Sequence, residues 1–420
     1  MTKKQLGQYA LPIATFLVAI NSIATSVQFK TGLPIGNTTM WWIIQAIILS
    51  LFFYAKVMFC TKQQTDLMLV LTVYLLWNIF SIVHGLFIVE TYWDWKGLIA
   101  NTMSIMIPSI AYAATHTKVT STLLAFFIRY GVPFFAVVML ITYGVGYGYY
   151  LAPISFFLLF LPVLPKKWKF IILALTTVVL LADLGARSNI IKFFVPLCIG
   201  LLYYVRHILT KTILNTMRLS LLALPLILFS LAETDTFNIF NMGEYIEGDN
   251  SFNSVGFDGE VTEQSLIADT RTLLYVESLY SAEKNNYWII GRSPARGHES
   301  ILFGFYDVNG RGERLSSEVS ILNVFTWTGI IGVILYFFIF YKASYLAINE
   351  SNNFFSQLLG IFIAFRWAYA WVEDFNNFNM FYFSLWLMIG LCFSVSFRKM
   401  TNSDVEQWIQ GIFDKKVRRK

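Results

Sequence analysis

The chain has 420 residues, of which 56% are hydrophobic and 13% charged, against roughly 25% charged in a soluble domain. So few charges cannot clothe a water-soluble surface, and the formal net charge of +6 lies beside apolar runs, which fits membrane topology and argues against nucleic acid as a partner. Period-two alternation is absent, which argues against a β-barrel; the recurring apolar runs of about twenty residues read as membrane-crossing helices.

In chain order, spans are expected at residues 7–26, 38–59, 66–88, 97–115, 122–143, 149–164, 169–184, 188–206, 219–231, 318–346, 354–372 and 380–397. The fold class is therefore an all-α polytopic membrane protein with about twelve transmembrane helices. The first run has no small-residue cleavage site and reads as a retained span. Residues 1–233 hold spans one to nine, 234–317 form one large extracytoplasmic loop, 318–398 hold spans ten to twelve, and 399–420 form a basic amphipathic tail.

Orientation follows from the cations. Lys3, Lys4, Lys62, Lys118, Lys166, Lys167, Lys169, Arg206, Lys211, Arg218, Lys342 and the tail fall on one side, which is then cytoplasmic, as are both termini. The alternate loops carry few cations, chiefly Lys30, Lys96 and Arg187, and lean acidic at 90–94 and 373–374.

The polar stretch 234–317 has little periodicity over 238–258. Leu266, Ile267, Leu273, Leu274, Val276 and Leu279 are spaced as a short amphipathic helix over 263–282. Gly291-Arg-Ser-Pro-Ala-Arg-Gly297 reads as an irregular loop and not a phosphate-binding loop, since no Lys-Ser/Thr follows. In the tail, a capping box from Ser403 to Glu406 opens a helix with Val405, Trp408, Ile409, Ile412 and Phe413 on one face. Such a face suits the inner membrane surface, with Lys415, Lys416, Arg418, Arg419 and Lys420 near anionic lipid.

The cysteines Cys60, Cys198 and Cys392 and the histidines His84, His116, His207 and His298 are too scattered for disulfides or a zinc site. No cofactor and no metal are expected. Aromatics form 17% of the chain. Most belong to interfacial belts, while a minority on outer loops could stack on sugar rings.

Ionisable groups in or beside spans are costly and mark candidate sites. Arg187 stands at the outer mouth between spans seven and eight, where it could hold an anion or merely pair with Asp183. Arg271 lies on the polar side of the loop helix, with Asp269, Glu277 or Glu283 as plain counter-charges. Arg366 lies in span eleven, beside Glu373 and Asp374, and reads first as a structural ion pair and second as another anion contact. Glu318 opens span ten, where capping accounts for an acid. Gly329 and Gly332, three turns later, are accounted for by close helix packing.

The end of a large outer loop, a polar residue, Leu322, and Gly329-Ile-Ile-Gly332 followed by Val333-Ile-Leu-Tyr-Phe337 resembles the C-terminal signature of the O-antigen polymerase and ligase superfamily, the Wzy type. Arg187-Ser188 and the arginine-led helix from Arg271 also resemble that family. Ligases of the family begin this span with His-Asn; Glu318 and Val319 stand there instead, which weakens the ligase reading. The resemblance implies a metal-independent glycosyltransferase of the bacterial cytoplasmic membrane. It would transfer a growing glycan from polyprenyl (undecaprenyl) diphosphate to a new lipid-linked repeat. Arg187, Arg271 and Arg366 would hold the diphosphate and Glu318 would serve as base, with Glu90, Asp94, Glu373 and Asp374 as rivals. Its partners would be that lipid-linked oligosaccharide, membrane lipids and a chain-length regulator. The alternatives are an O-antigen ligase and a lipid-linked oligosaccharide flippase, the latter disfavoured by the long loop and by the lack of an internal repeat.

Overall fold

The computed structural model describes residues 1–182, 187–234, 236–240, 251–255, 261–265, 271–300 and 310–414, without the side chains of 187, 251–255 and 261–265. Asp183, the loop-helix positions Leu266, Ile267 and Asp269, and residues 415–420 with the basic side chains of the tail lie outside the described residues.

The molecule is 78% helical with almost no sheet. α1 (Lys3–Asn21) bends by 44° into α2 (Ala24–Thr31). α3 (Thr38–Phe59), α4 (Leu69–Ile88), α5 (Tyr92–Ala114) and α6 (Thr117–Ile141) follow, then the short α7 (Gly144–Tyr150) and α8 (Ile154–Leu159). α9 (Lys166–Ala182), α10 (Arg187–Leu201) and α11 (Lys211–Glu233) lead into the hydrophilic segment. There β1 (Ser251–Val255) pairs antiparallel with β2 (Val261–Ser265). α12 (Thr272–Lys284) follows, and the two-residue β3 (His298–Glu299) pairs antiparallel with β4 (Glu313–Arg314). α13 (Ser320–Asn349), α14 (Phe354–Tyr369), α15 (Met380–Phe393) and α16 (Asn402–Phe413) complete the chain.

Seven of these helices are long and apolar enough to cross a membrane among the described residues, and eight if α1 and α2 count as one bent span. The protein is a helical membrane protein. Side chains cap several helix starts: Asn37 accepts from the Met40 N–H, Asn353 from Ser356 and Asn379 from Tyr382, each satisfying a backbone donor that the helix leaves unpaired. Every residue of α15 is buried. A helix apolar on all sides belongs at the centre; α15 packs on α5, α13 and α14, with Trp386 against Tyr336, Phe340 and Tyr382.

Several expectations are corrected. The stretch 149–164 is not one continuous helix: the chain breaks between Tyr150 and Ile154, with Pro153 at the break, and turns again through a single 3-10 turn at Leu161–Val163. The loop helix starts at Thr272; part of the stretch assigned to it is β2, and it buries Leu274, Tyr275 and Ala282 while Leu273 and Val276 are exposed. The tail helix is capped by Thr401 with Asp404, not by Ser403. Its apolar face meets protein: Val405 and Ile409 are fully buried, Trp408 meets Phe156 edge-on and Phe413 packs at a tilt on Phe157, and the Trp408 indole donates to Thr117 O.

The kink in α13 also differs from simple helix packing. Gly329 has φ +65 and ψ −172, so the helix opens there. The freed backbone pairs with the preceding loop: Ile330 N donates to Trp288 O (2.8 Å) and Arg292 N to Thr326 O (2.6 Å). A Cβ on Gly329 would meet Ile289 O at 2.2 Å. Only glycine tolerates both that φ and that approach.

Candidate functional site

The N-terminus of α13, the α14–α15 connection, the start of α10 and the start of α12 meet at one end of the bundle. Backbone and hydroxyl groups join them: Ser320 N and Oγ both donate to Glu373 O (3.1 and 2.9 Å), and Phe375 N donates to Ser320 Oγ. Tyr275 Oη donates to Trp371 O (2.6 Å), and Tyr369 Oη to Ser188 O (3.4 Å).

Three cationic side chains gather there. Lys192, only 3% exposed, places its ammonium 3.4 Å from Glu373 Oε1 and donates to Ser188 Oγ. Arg271, the residue before α12, places a guanidinium nitrogen 3.5 Å from Glu373 Oε2 and donates from Nε to Val372 O at 2.6 Å. Arg366, 2% exposed, lies over the rings of Phe381 (4.1 Å) and Phe375 (4.3 Å). Lys192 lies over Phe381 too, at 4.9 Å. Aromatic faces attract cations but do not accept their hydrogen bonds as a carboxylate does.

Arg366 corrects the expected ion pair: no carboxylate lies within 4 Å of it among the described residues, and its Nε and one terminal nitrogen have no hydrogen-bond partner. A buried guanidinium left in this state has strong affinity for an entering anion. Among the described residues Arg271 pairs with Glu373, an acid of the α14–α15 connection that the expectation did not name; Asp269 lies outside the described residues. Arg187 opens α10, next to the Ser188 that Tyr369 contacts; its side chain lies outside the described residues.

The acids divide as clearly. Glu318 is half-exposed and paired with Arg314 (2.8 Å), and it does not cap α13. Glu90 and Asp94 both pair with Arg311, and Arg292 and Arg296 share Glu313. Asp374 follows Glu373, the carboxylate that Lys192 and Arg271 share, and makes no ion pair among the described residues. It accepts from Asn376 N (3.0 Å), Asn377 Nδ2 (2.5 Å) and Asn323 Nδ2 (3.2 Å). Burial, with the neighbouring Glu373 carboxylate adding to it, pushes its pKa up to about 6 against those hydrogen bonds.

Two cavities border the cluster. One, about 550 Å³, is an apolar groove between α11, α12 and α14, walled by side chains such as Leu224, Pro225, Phe229, Leu279 and Phe365 and reaching Thr272 and Tyr369. The other, about 580 Å³, lies at the α1–α2 bend and is the more polar of the two; Asn21, Gln45, Asn377 and Asn379 line it, with the Trp42 and Tyr149 rings and the side chains of Phe29 and Phe378. Tyr369, 5.6 Å from the Arg366 guanidinium, faces the first. Tyr149, 4.9 Å from the Lys192 ammonium, faces the second.

No family model, curated protein or solved structure matches the chain. The site therefore rests on its own geometry, and the sequence reading missed its best-placed member. Lys192 carries the signal that should have found it: a lysine inside an apolar helix, one turn after Ser188.

Proposed function

We propose that the protein is a polysaccharide polymerase of the O-antigen or capsule type. It moves a growing glycan from polyprenyl diphosphate onto a new lipid-linked repeat at the outer face of the bacterial cytoplasmic membrane. The carrying observation is that Lys192, Arg271 and Arg366 are bordered by an apolar groove through Tyr369 and by a polar cavity through Tyr149. A lipid-linked sugar has the same sequence of chemistries: isoprenoid, diphosphate, glycan.

The acceptor hydroxyl oxygen attacks the anomeric carbon of the donor. The bond from that carbon to the phosphate oxygen breaks, and the polyprenyl diphosphate leaves with the electron pair. Lys192, Arg271 and Arg366 stabilise its developing charge, with Arg187 as a further contact from the start of α10. Asp374 takes the acceptor proton, since a carboxylate with a pKa near 6 is a competent base near neutral pH. This role passes to Asp374 from Glu318, whose carboxylate is committed to Arg314. Cation side chains suffice for the leaving group, so the reaction is expected to proceed in chelator.

The reading places both termini in the cytoplasm, the 234–317 segment outside and about twelve crossings in the membrane. α1 with α2 forms one crossing and α7 with α8 another, and α9, α14 and α15 join the seven long helices. Glu318, where the ligases of the family carry histidine, favours polymerase over ligase. The partners are the undecaprenyl-diphosphate-linked oligosaccharide, membrane lipid and a chain-length regulator.

Binding of polyprenyl diphosphate to the full chain in nanodiscs tests the reading. Lys192→Gln and Arg366→Gln should each weaken it at least about tenfold, as loss of a charge-assisted contact does. Unchanged binding in both variants removes the cluster from the donor site.

A further inference from the structure

The polar cavity has a property that the transfer reaction alone does not require: none of its lining residues carries a charge at neutral pH. Its walls are amides, hydroxyls and rings, at a volume of about 580 Å³ that falls within the roughly 300–1,000 Å³ of small-molecule sites. Asn21 is held at both ends of its amide, Gln45 and Asn379 at one. Asn21 Nδ2 donates to Phe378 O (2.6 Å), and Asn21 Oδ1 accepts from Gln45 Nε2 (3.2 Å). Asn379 Oδ1 caps α15. These anchors fix the amide orientations and leave Gln45 Oε1 and Asn379 Nδ2 without a protein partner among the described residues.

A fixed acceptor and a fixed donor, flanked by the Trp42 and Tyr149 rings, suit a pyranose, which offers hydroxyls at its rim and C–H bonds on its face. They do not suit a carboxylate. A carboxylate entering here would exchange part of its hydration for a wall that holds no cation. Cations close to lining residues are engaged elsewhere: Lys192 with Glu373 and the Tyr149 ring, Lys30 with Thr142 O (2.7 Å) and Met139 O, and Lys96 over the Trp93 ring. Asn377 both lines the cavity and donates to Asp374, so a sugar bound there lies next to the proposed base.

We infer that the cavity at the α1–α2 bend is the acceptor-sugar site and that it admits an uncharged unit, a hexose or N-acetylhexosamine, and rejects a uronic or sialic acid. This inference rests on the polymerase reading for its role in the reaction, but its test does not. Saturation-transfer NMR on the full chain in nanodiscs, with N-acetylglucosamine, galactose and glucuronate as separate probes, reads the site directly. The two neutral sugars should receive saturation and glucuronate at least fivefold less. Gln45→Ala and Trp42→Ala should each reduce the neutral signal at least fivefold. Trp42→Phe, which keeps a ring, should restore most of it.

A glucuronate signal equal to that of the neutral sugars overturns the inference. So does a neutral signal that survives both alanine variants, or the absence of signal from every sugar. Each of these outcomes leaves the polyprenyl diphosphate measurement standing. Failure of that measurement with an intact neutral-sugar signal would instead sink the polymerase reading alone.

Discussion

Arg366 is buried over two phenyl rings with unpartnered nitrogens, an arrangement that opposes folding. Replacing it with methionine should therefore raise the unfolding free energy by about 1–4 kcal/mol, read as a higher melting temperature, while abolishing chain extension. A fall in stability would make it a structural cation. Asp374 makes a second demand at this scale. Asp374→Asn should lower the transfer rate about 10²–10⁴-fold. In the wild type the rate should be half-maximal near pH 6, falling about tenfold per unit below, because only the ionised carboxylate accepts a proton. Stability runs the other way. A raised carboxylate pKa makes a contribution that is complete below the ordinary carboxylate range and is lost as pH rises through about 6. A rate independent of pH between 5 and 7 would exclude Asp374 as the base.

Among the elements, the kink of α13 carries the sharpest expectation. Gly329→Ala places a Cβ at positive φ against Ile289 O, and should cost at least about 2 kcal/mol by chemical denaturation. A neutral effect would mean that the 288–291 strand of backbone is not held there. Helices in plain apolar runs were legible in advance: 38–59 is α3, and 380 and 354 begin α15 and α14. What escaped were features settled by tertiary contact. The break between α7 and α8 lies in a stretch as apolar as any span. The face of α16 looks the same whether lipid or Phe156 and Phe157 cover it. The kink at Gly329 depends on a loop that pairs with it from sequence position 288. At the site, Arg271 and Arg366 were found as costly charges. Their relation to Glu373 was not, because it is made by the fold: Arg271 pairs with Glu373 across a hundred residues, and Arg366 with no acid among the described residues.

For the whole molecule, the polymerase proposal requires a reaction face on the outer side, with lipid entering from the groove. Lys284 is exposed on α12. In a background with Cys60, Cys198 and Cys392 changed to serine, Lys284→Cys should react with a membrane-impermeant maleimide in intact cells. Labelling only after lysis would put the cluster in the wrong compartment. The most direct test of the central claim is the length of surface glycan from cells whose own copy is deleted and replaced by wild-type or Lys192→Gln protein. Wild type should give a ladder of long chains, and the variant, inserted at the same level, chains of a single repeat. A normal ladder from the variant, or no change in glycan length on deletion, would contradict the account.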